Sequence, residues 1–220
     1  MIALIVHSSV AVAFVGSSKL GPNDLNLLQN YTSSFVGVDG GADHLLAARI
    51  KPVAVIGDLD SISDAARQEY ANVLHHVTEQ DTVDFEKALC LVDAPLVFAV
   101  GFSGGRLDHT LAVLNVMGRF SDRRLILMGD DDVATIVPHD MIVLEGLGIG
   151  SRLSLMPLAP AKVSETGLRW SLDEQVFDTL GFSSPSNAVA APVVTLSSSG
   201  PVLLVLPRLS LNALVKAITV

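Results

Sequence analysis

Val53-Ala54-Val55-Ile56-Gly57-Asp58-Leu59-Asp60-Ser61 is an apolar, β-branched run that ends on a glycine and two acids. The run reads as a buried strand, and the helical pattern of Ser63–Ala71 follows it directly. The same alternation recurs on both sides. Ala11–Val15, Phe35–Val38, Leu96–Val100 and Leu125–Met128 are further strands; Asp43–Arg49, Asp81–Val92 and Leu107–Phe120 are further helices. Strands alternating with helices predict a mostly parallel sheet covered by helices. Beyond Asp130-Asp131-Asp132 the character changes. Val133–Val137, Met141–Leu144, Arg152–Met156, Val193–Leu196 and Val202–Leu206 are short β-rich runs separated by Gly, Pro and Ser. Helical periodicity is largely absent there, which predicts an all-β second domain. The expected fold is therefore α/β over 1–130 followed by all-β over 131–220. Ser197-Ser198-Ser199-Gly200-Pro201 reads as a hairpin turn, and Gly146-Leu147-Gly148-Ile149-Gly150 as another turn.

The chain has 220 residues, half of them apolar, and a formal net charge of -9. The acidic balance disfavours sequence-independent nucleic-acid binding. No unbroken apolar run reaches the ~18 residues of a membrane span. Met1–His7 carries no basic region ahead of its apolar residues, which argues against a secretory leader. The single cysteine, Cys90, sits among Ala88, Leu89 and Leu91, and reads as a buried thiol in a reducing cytoplasm.

Four segments place an aspartate on a tight or glycine-bearing corner. Asp39-Gly40-Gly41-Ala42 follows a strand; its glycines allow close approach to a phosphate or an adenosine, with a helix N-terminus next to them. It reads equally as a strand-to-helix turn capped by Asp39. In Gly57–Ser61, Asp58 and Asp60 stand two residues apart and are suited to sharing one Mg²⁺, directly or through water. Asp81 and Asp84 open the Asp81–Val92 helix on one face, with Lys87 on the same side. They also satisfy a plain capping role. Gly104-Gly105-Arg106-Leu107-Asp108-His109 follows the Leu96–Val100 strand. Arg106 has the planar fork that grips phosphoryl oxygens. Asp108 and Asn115, seven apart, share one helix face, and Leu111, Leu114 and Met117 are the expected buried stripe of that helix. His109 taken alone reads as a packed or capping histidine. The chain has no G-x-x-x-x-G-K-[ST] loop, no G-x-G-x-x-G opening its first helix, no G-x-S-x-G elbow and no H-E-x-x-H helix.

Taken in order, these segments resemble the thiamin pyrophosphokinase family. That family carries D-G-G-A, G-D-x-D-S, D-Q-D-x-T-D and G-G-R-x-D-H followed by Asn. Here they are Asp39–Ala42, Gly57–Ser61, Glu79–Asp84 and Gly104–His109 with Asn115. Thr166–Trp170 and Ser186-Asn187 look like its thiamine-site segments. Glu79 stands for the usual Asp and Val83 for the usual Thr; the first strand ends in Gly16-Ser17-Ser18-Lys19, with fewer glycines than expected.

The resemblance implies an ATP-dependent enzyme that moves pyrophosphate to the hydroxyl of thiamine, giving thiamine diphosphate and AMP. It implies a β-sandwich second domain that binds thiamine and forms a homodimer, with a site shared between subunits. Asp58, Asp60, Asp81 and Asp84 would hold Mg²⁺, and Arg106 would stabilise phosphate charge. Asp39, Gly40, Gly41, Ser61, Gly104, Gly105, Arg106, His109 and Asn115 would shape the nucleotide site. Asp108 would orient His109 or a metal water, or serve as the base. Trp170, Ser186 and Asn187 would line the thiamine pocket. Apart from the resemblance, Trp170 reads as a core residue of the β domain. Two alternatives stay open: a Mg²⁺-dependent phosphotransferase or nucleotide hydrolase acting on another small alcohol, and a non-catalytic nucleotide- or thiamine-binding protein.

Overall fold

The computed structural model describes residues 3–219; Met1 and Ile2, which begin the apolar N-terminal run, lie outside them. The chain forms two compact units. The first runs to Val116 and includes Leu127–Asp130; the second comprises Met117–Ile126 and the residues from Asp131 on. No helix among the described residues is long and apolar enough to cross a membrane.

The elements up to the second unit's strands are, in chain order, β1 (Val6–His7), β2 (Val12–Val15), α1 (Asp24–Leu28), β3 (Ser34–Val38), α2 (Gly41–Ala47), β4 (Ala54–Gly57), α3 (Asp64–Glu69), β5 (Leu74–His76), α4 (Asp84–Leu91), β6 (Val92–Asp93), β7 (Val97–Val100), α5 (Leu107–Arg119) and β8 (Leu125–Met128). In the first unit β7, β2, β3, β4 and β5 pair in that order, all parallel. Every residue of β2, β4 and β7 is buried. This is the signature of a sheet covered on both faces, and it is why these strands read as unbroken apolar runs. The register aligns Val15 with Gly37 and Val100, and Val38 with Ile56. The carboxyl ends of four strands are thereby brought level, so the loops that leave them gather at one edge.

Three local expectations for this unit are corrected. Helix α4 begins at Asp84, not at Asp81. Glu79 takes hydrogen bonds from the Asp81 backbone N–H and the Thr82 hydroxyl, which holds these residues as a turn in competition with the helix. The buried stripe of α5 is Val113, Val116 and Met117, while Leu111 is exposed. Met117 belongs to both stripes, but the observed one runs i, i+3, i+4 from Val113 and is rotated away from Leu111. Cys90 is exposed: α4 buries Phe85, Ala88 and Leu89, and Cys90 falls outside that face.

The second unit contains β9 (Asp132–Ile136), β10 (Ile142–Glu145), β11 (Arg152–Pro157), β12 (Ala161–Thr166), β13 (Gln175–Phe177), β14 (Ser184–Ala188), β15 (Val193–Ser198), β16 (Val202–Pro207) and α6 (Leu211–Thr219). Strands β14, β11, β16 and β9 pair antiparallel in that order, and β10, β15, β12 and β13 form a second antiparallel sheet. The α/β-then-β-sandwich reading holds. Two details do not. Ser197–Pro201 is no hairpin, because β15 and β16 belong to different sheets and the turn carries the chain from one to the other. The unit is not purely β: α6 buries Leu211, Leu214 and Ile218 at helical spacing.

Candidate active site

At the carboxyl ends of β2, β3, β4 and β7 lies a cleft of about 360 Å³, the place where an open α/β sheet gathers ligand groups. Asp39 leaves β3 with a left-handed backbone (φ 47°), which an aspartate tolerates better than most residues. Asp58 and Asp60 leave β4, and Leu59 between them is also left-handed (φ 61°). For a leucine this is strained, by about 1–3 kcal/mol, and its buried side chain helps hold it there. The result is convergence: one oxygen each from Asp39, Asp58 and Asp60 lies within 4.8 Å of the other two. Burial pushes the Asp39 carboxyl above the usual carboxylate range. Hydrogen bonds from the Gly40 and Ser61 region pull the other way, and the charge of Asp84 adds to the rise. The Ser61 hydroxyl donates to Asp60 Oδ1 (2.8 Å) and the Asp60 N–H to Asp58 Oδ1 (3.3 Å). Three converging carboxylates, one of them destabilised by burial, suit a hard divalent cation with oxygen ligands.

Asp84 lines the same cleft in a different way. Its Oδ1 accepts from the Asp58 backbone N–H (3.2 Å) and from Lys87 Nζ (2.9 Å). Phe85 and Phe102 lie nearby, with ring centroids 4.8 Å apart. Ser17 and Ser18 come from the exit of β2, and the His44 ring on α2 holds the Ser18 carbonyl through Nε2 (3.0 Å).

Two family models match the chain: "Thiamin pyrophosphokinase, catalytic domain" over residues 25–128 and "Thiamin pyrophosphokinase, vitamin B1 binding domain" over 139–203. The chain belongs to the thiamin pyrophosphokinase family. Thiamine pyrophosphokinase 1 of Oryza sativa subsp. japonica is 29% identical over 87% of this chain and 85% of its own length. Thiamine pyrophosphokinase 3 of the same plant is 32% identical over 68% of this chain and 64% of its own length. Among solved structures, yeast thiamin pyrophosphokinase superposes with a TM-score of 0.77 at 15% identity, covering 98% of this chain and 95% of that one. The Candida albicans thiamin pyrophosphokinase gives 0.75 at 17% identity, with 92% of each chain covered. At such identities these superpositions speak for the fold.

Against this family background, the residues singled out in the sequence fall into three groups. Asp39, Asp58, Asp60, Ser61, Asp84 and His109 line the cleft. Asp81, Gly104, Gly105, Arg106, Asp108 and Asn115 do not. Asp81 sits in the exposed turn before α4. Arg106 and Asp108 are exposed and pair with each other, Arg106 Nε to Asp108 Oδ1 at 3.1 Å and a terminal guanidinium nitrogen to Oδ2 at 2.5 Å. The Arg106 guanidinium holds the Asp108 carboxyl down at about 2, so Asp108 is a weak proton acceptor while that pair persists. Gly40 and Gly41 open α2. The position of a Gly41 side chain is filled from behind by protein, since a Cβ there would lie 1.7 Å from the Val15 carbonyl oxygen. Gly41 therefore serves the packing of α2 on β2.

The third group lies in the second unit. Trp170 is 54% exposed, which rules out the core reading, and Arg169 lies over its ring at 5.1 Å. Asn187 is buried. Its Oδ1 accepts from the Trp170 N–H (3.2 Å) and its Nδ2 donates to the Trp170 carbonyl (2.8 Å), so its amide clamps the backbone that carries the indole. Ser186 is exposed beside it, with a left-handed backbone (φ 60°). The sequence reading gave no site role to Ser17, Ser18, Thr82, Phe85, Phe102 or Lys87, although it set Lys87 on the side of Asp81 and Asp84; all six are in the cleft lining. For Ser17 and Ser18 a signal existed: they follow a buried strand just as Asp39 and Asp58 do.

Proposed function

We propose that the chain transfers pyrophosphate from ATP to the hydroxyl of thiamine, releasing AMP. The observation that carries this is the Asp39–Asp58–Asp60 convergence in a cleft of the unit matched by the family's catalytic model. The thiamine oxygen attacks the β-phosphorus, the bond from that phosphorus to the α,β-bridging oxygen breaks, and AMP departs with the bridging oxygen. The hydroxyl proton passes to a base. Asp39, Asp58 and Asp60 would hold a Mg²⁺ ion, whose positive charge offsets that of the triphosphate. Asp84 and Asp81 are not among the three converging oxygens; the sequence reading places both with Asp58 and Asp60 in the metal set, and the convergence of Asp39, Asp58 and Asp60 supports these three as its core. Ser17, Ser18 and His109 would border the phosphates. Arg106, once its partner is exchanged for a phosphoryl oxygen, would release Asp108 toward ordinary basicity. Trp170 offers a face on which the cationic thiazolium or the pyrimidine of thiamine can stack, supported by Asn187 from behind. The exposed Val176, Leu180 and Phe182 suit the homodimer that the family resemblance implies.

The test is an endpoint assay with purified protein, Mg-ATP and thiamine, resolving AMP, ADP and thiamine diphosphate. AMP and thiamine diphosphate in equal amounts, lost in Asp58→Asn and Asp60→Asn, support the proposal. ADP with thiamine monophosphate, or no product from thiamine, refutes it.

A further inference from the structure

Lys87 is the one lysine or arginine among the residues lining the cleft, and its side chain is only 3% exposed. A buried ammonium is costly unless each of its donors is satisfied. An ammonium has three N–H donors; among the described residues one hydrogen bond, to Asp84 Oδ1 at 2.9 Å, engages Lys87 Nζ, and the Glu79 carboxylate acts on it through charge alone. Asp84 in turn spends the same oxygen on the Asp58 backbone N–H. A partly satisfied cation thus faces a cavity whose other charged groups, Asp39, Asp58, Asp60 and Asp84, are all carboxylates. The four carboxylates repel a polyphosphate unless they hold a cation, and among the lysine, arginine and carboxylate groups of the lining Lys87 alone attracts it. Lysine suits this position as a compact point charge for phosphoryl oxygens.

We propose that Lys87 is a substrate-contacting residue, whose ammonium binds a phosphoryl oxygen of the nucleotide's polyphosphate while Asp84 keeps it in place when the cleft is empty. The proposal rests on the reading of the cleft as the ATP site. It makes α4 a phosphate-binding element through a side chain in its first turn, and it gives Asp84 a holding role.

The experiment measures the binding of α,β-methylene-ATP with Mg²⁺ by titration calorimetry, alongside AMP formation from ATP and thiamine. The proteins are wild type, Lys87→Met, Lys87→Arg and the double variant Asp84→Asn/Lys87→Met. The double variant replaces both partners of the buried pair and leaves no uncompensated charge, so folding is retained; thermal unfolding verifies it. Expected are an affinity for the analogue at least about tenfold weaker in Lys87→Met, no recovery in the double variant, and partial rescue in Lys87→Arg. Affinity within twofold of wild type in Lys87→Met, or full recovery in the double variant, overturns the proposal and leaves Lys87 as a counter-charge for Asp84. A wild type that binds the analogue but makes no AMP with thiamine refutes the proposed reaction separately. A wild type that does not bind the analogue overturns both.

Discussion

Replacing Gly41 with alanine should be among the most damaging single-methyl additions in the chain. The new Cβ would lie 1.7 Å from the Val15 carbonyl oxygen and 2.5 Å from the Val15 carbonyl carbon, where ordinary contact begins at 3.4 Å. Helix α2 and strand β2 must therefore separate by about 1.7 Å along that line. Strand β2 cannot recede, because it is hydrogen-bonded to β3 on one side and β7 on the other. The helix must lift instead, and lifting it uncovers Ala42 and Leu45, both fully buried. Overpacking of this kind costs about 1–3 kcal/mol. Partial loss of the Leu45 burial adds to that, from a full value of about 1.5–3 kcal/mol. A destabilisation of about 3 kcal/mol or more follows, a fall in Tm of roughly 6–12 °C for a chain of this size. Gly148→Ala is the control. Its Cβ would touch only the Ser151 hydroxyl oxygen, at 3.2 Å, and the change should stay within about 0.5 kcal/mol. Urea unfolding followed by circular dichroism measures both. Equal midpoints for the two variants would refute the packing argument.

Three further outcomes are expected. Val83 occupies the N-cap of α4 with an extended backbone and makes no side-chain cap, so Val83→Thr should stabilise the protein by about 0.5–1 kcal/mol; an unchanged urea midpoint would count against it. Because burial raises the Asp39 carboxyl, the folded state holds that proton more tightly than the unfolded chain. Its contribution is intact below the ordinary aspartate range and is lost as pH rises through the raised folded value. Metal-free wild type should thus lose stability relative to Asp39→Asn as pH rises through that window, and Mg²⁺ should stabilise only the wild type near neutrality; parallel Tm-against-pH curves without metal would argue otherwise. Asn187→Leu should raise the thiamine KM by freeing the Trp170 backbone, as Trp170→Ala should by removing the ring, with the ATP KM unchanged in both; a shift confined to ATP would contradict the assignment.

The parallel sheet was legible because strands buried on both faces are unbroken apolar runs, as at Val12–Val15 and Ala54–Gly57. Strand β14 was not legible. Its sequence is Ser-Pro-Ser-Asn-Ala, a polar edge strand on which Pro185 is tolerated. Helix α6 was hidden for the opposite reason: only the 3₁₀ turn Arg208–Ser210 separates Leu211–Thr219 from β16, and its apolar residues continue those of a strand. At the site, the acids that leave strands could be read from position alone, since a strand end fixes where its next residues go. Asp81 could not, because whether it opened a helix or preceded one depended on Glu79 capturing the Asp81 N–H. Arg106 and Asp108 were read as ligand-facing groups, yet they satisfy each other at the surface, a choice that spacing alone does not encode.

Trp170 is the sole tryptophan of the chain and is half in water, with Arg169 over its ring. Indole emission is therefore a reporter of the second unit alone. Excited at 295 nm, the protein should report the loosening of the β-sandwich at whatever denaturant concentration that unit fails, while circular dichroism at 222 nm is weighted toward the helices of the first. The gap between the two midpoints then reads directly how far the two halves unfold as one cooperative system.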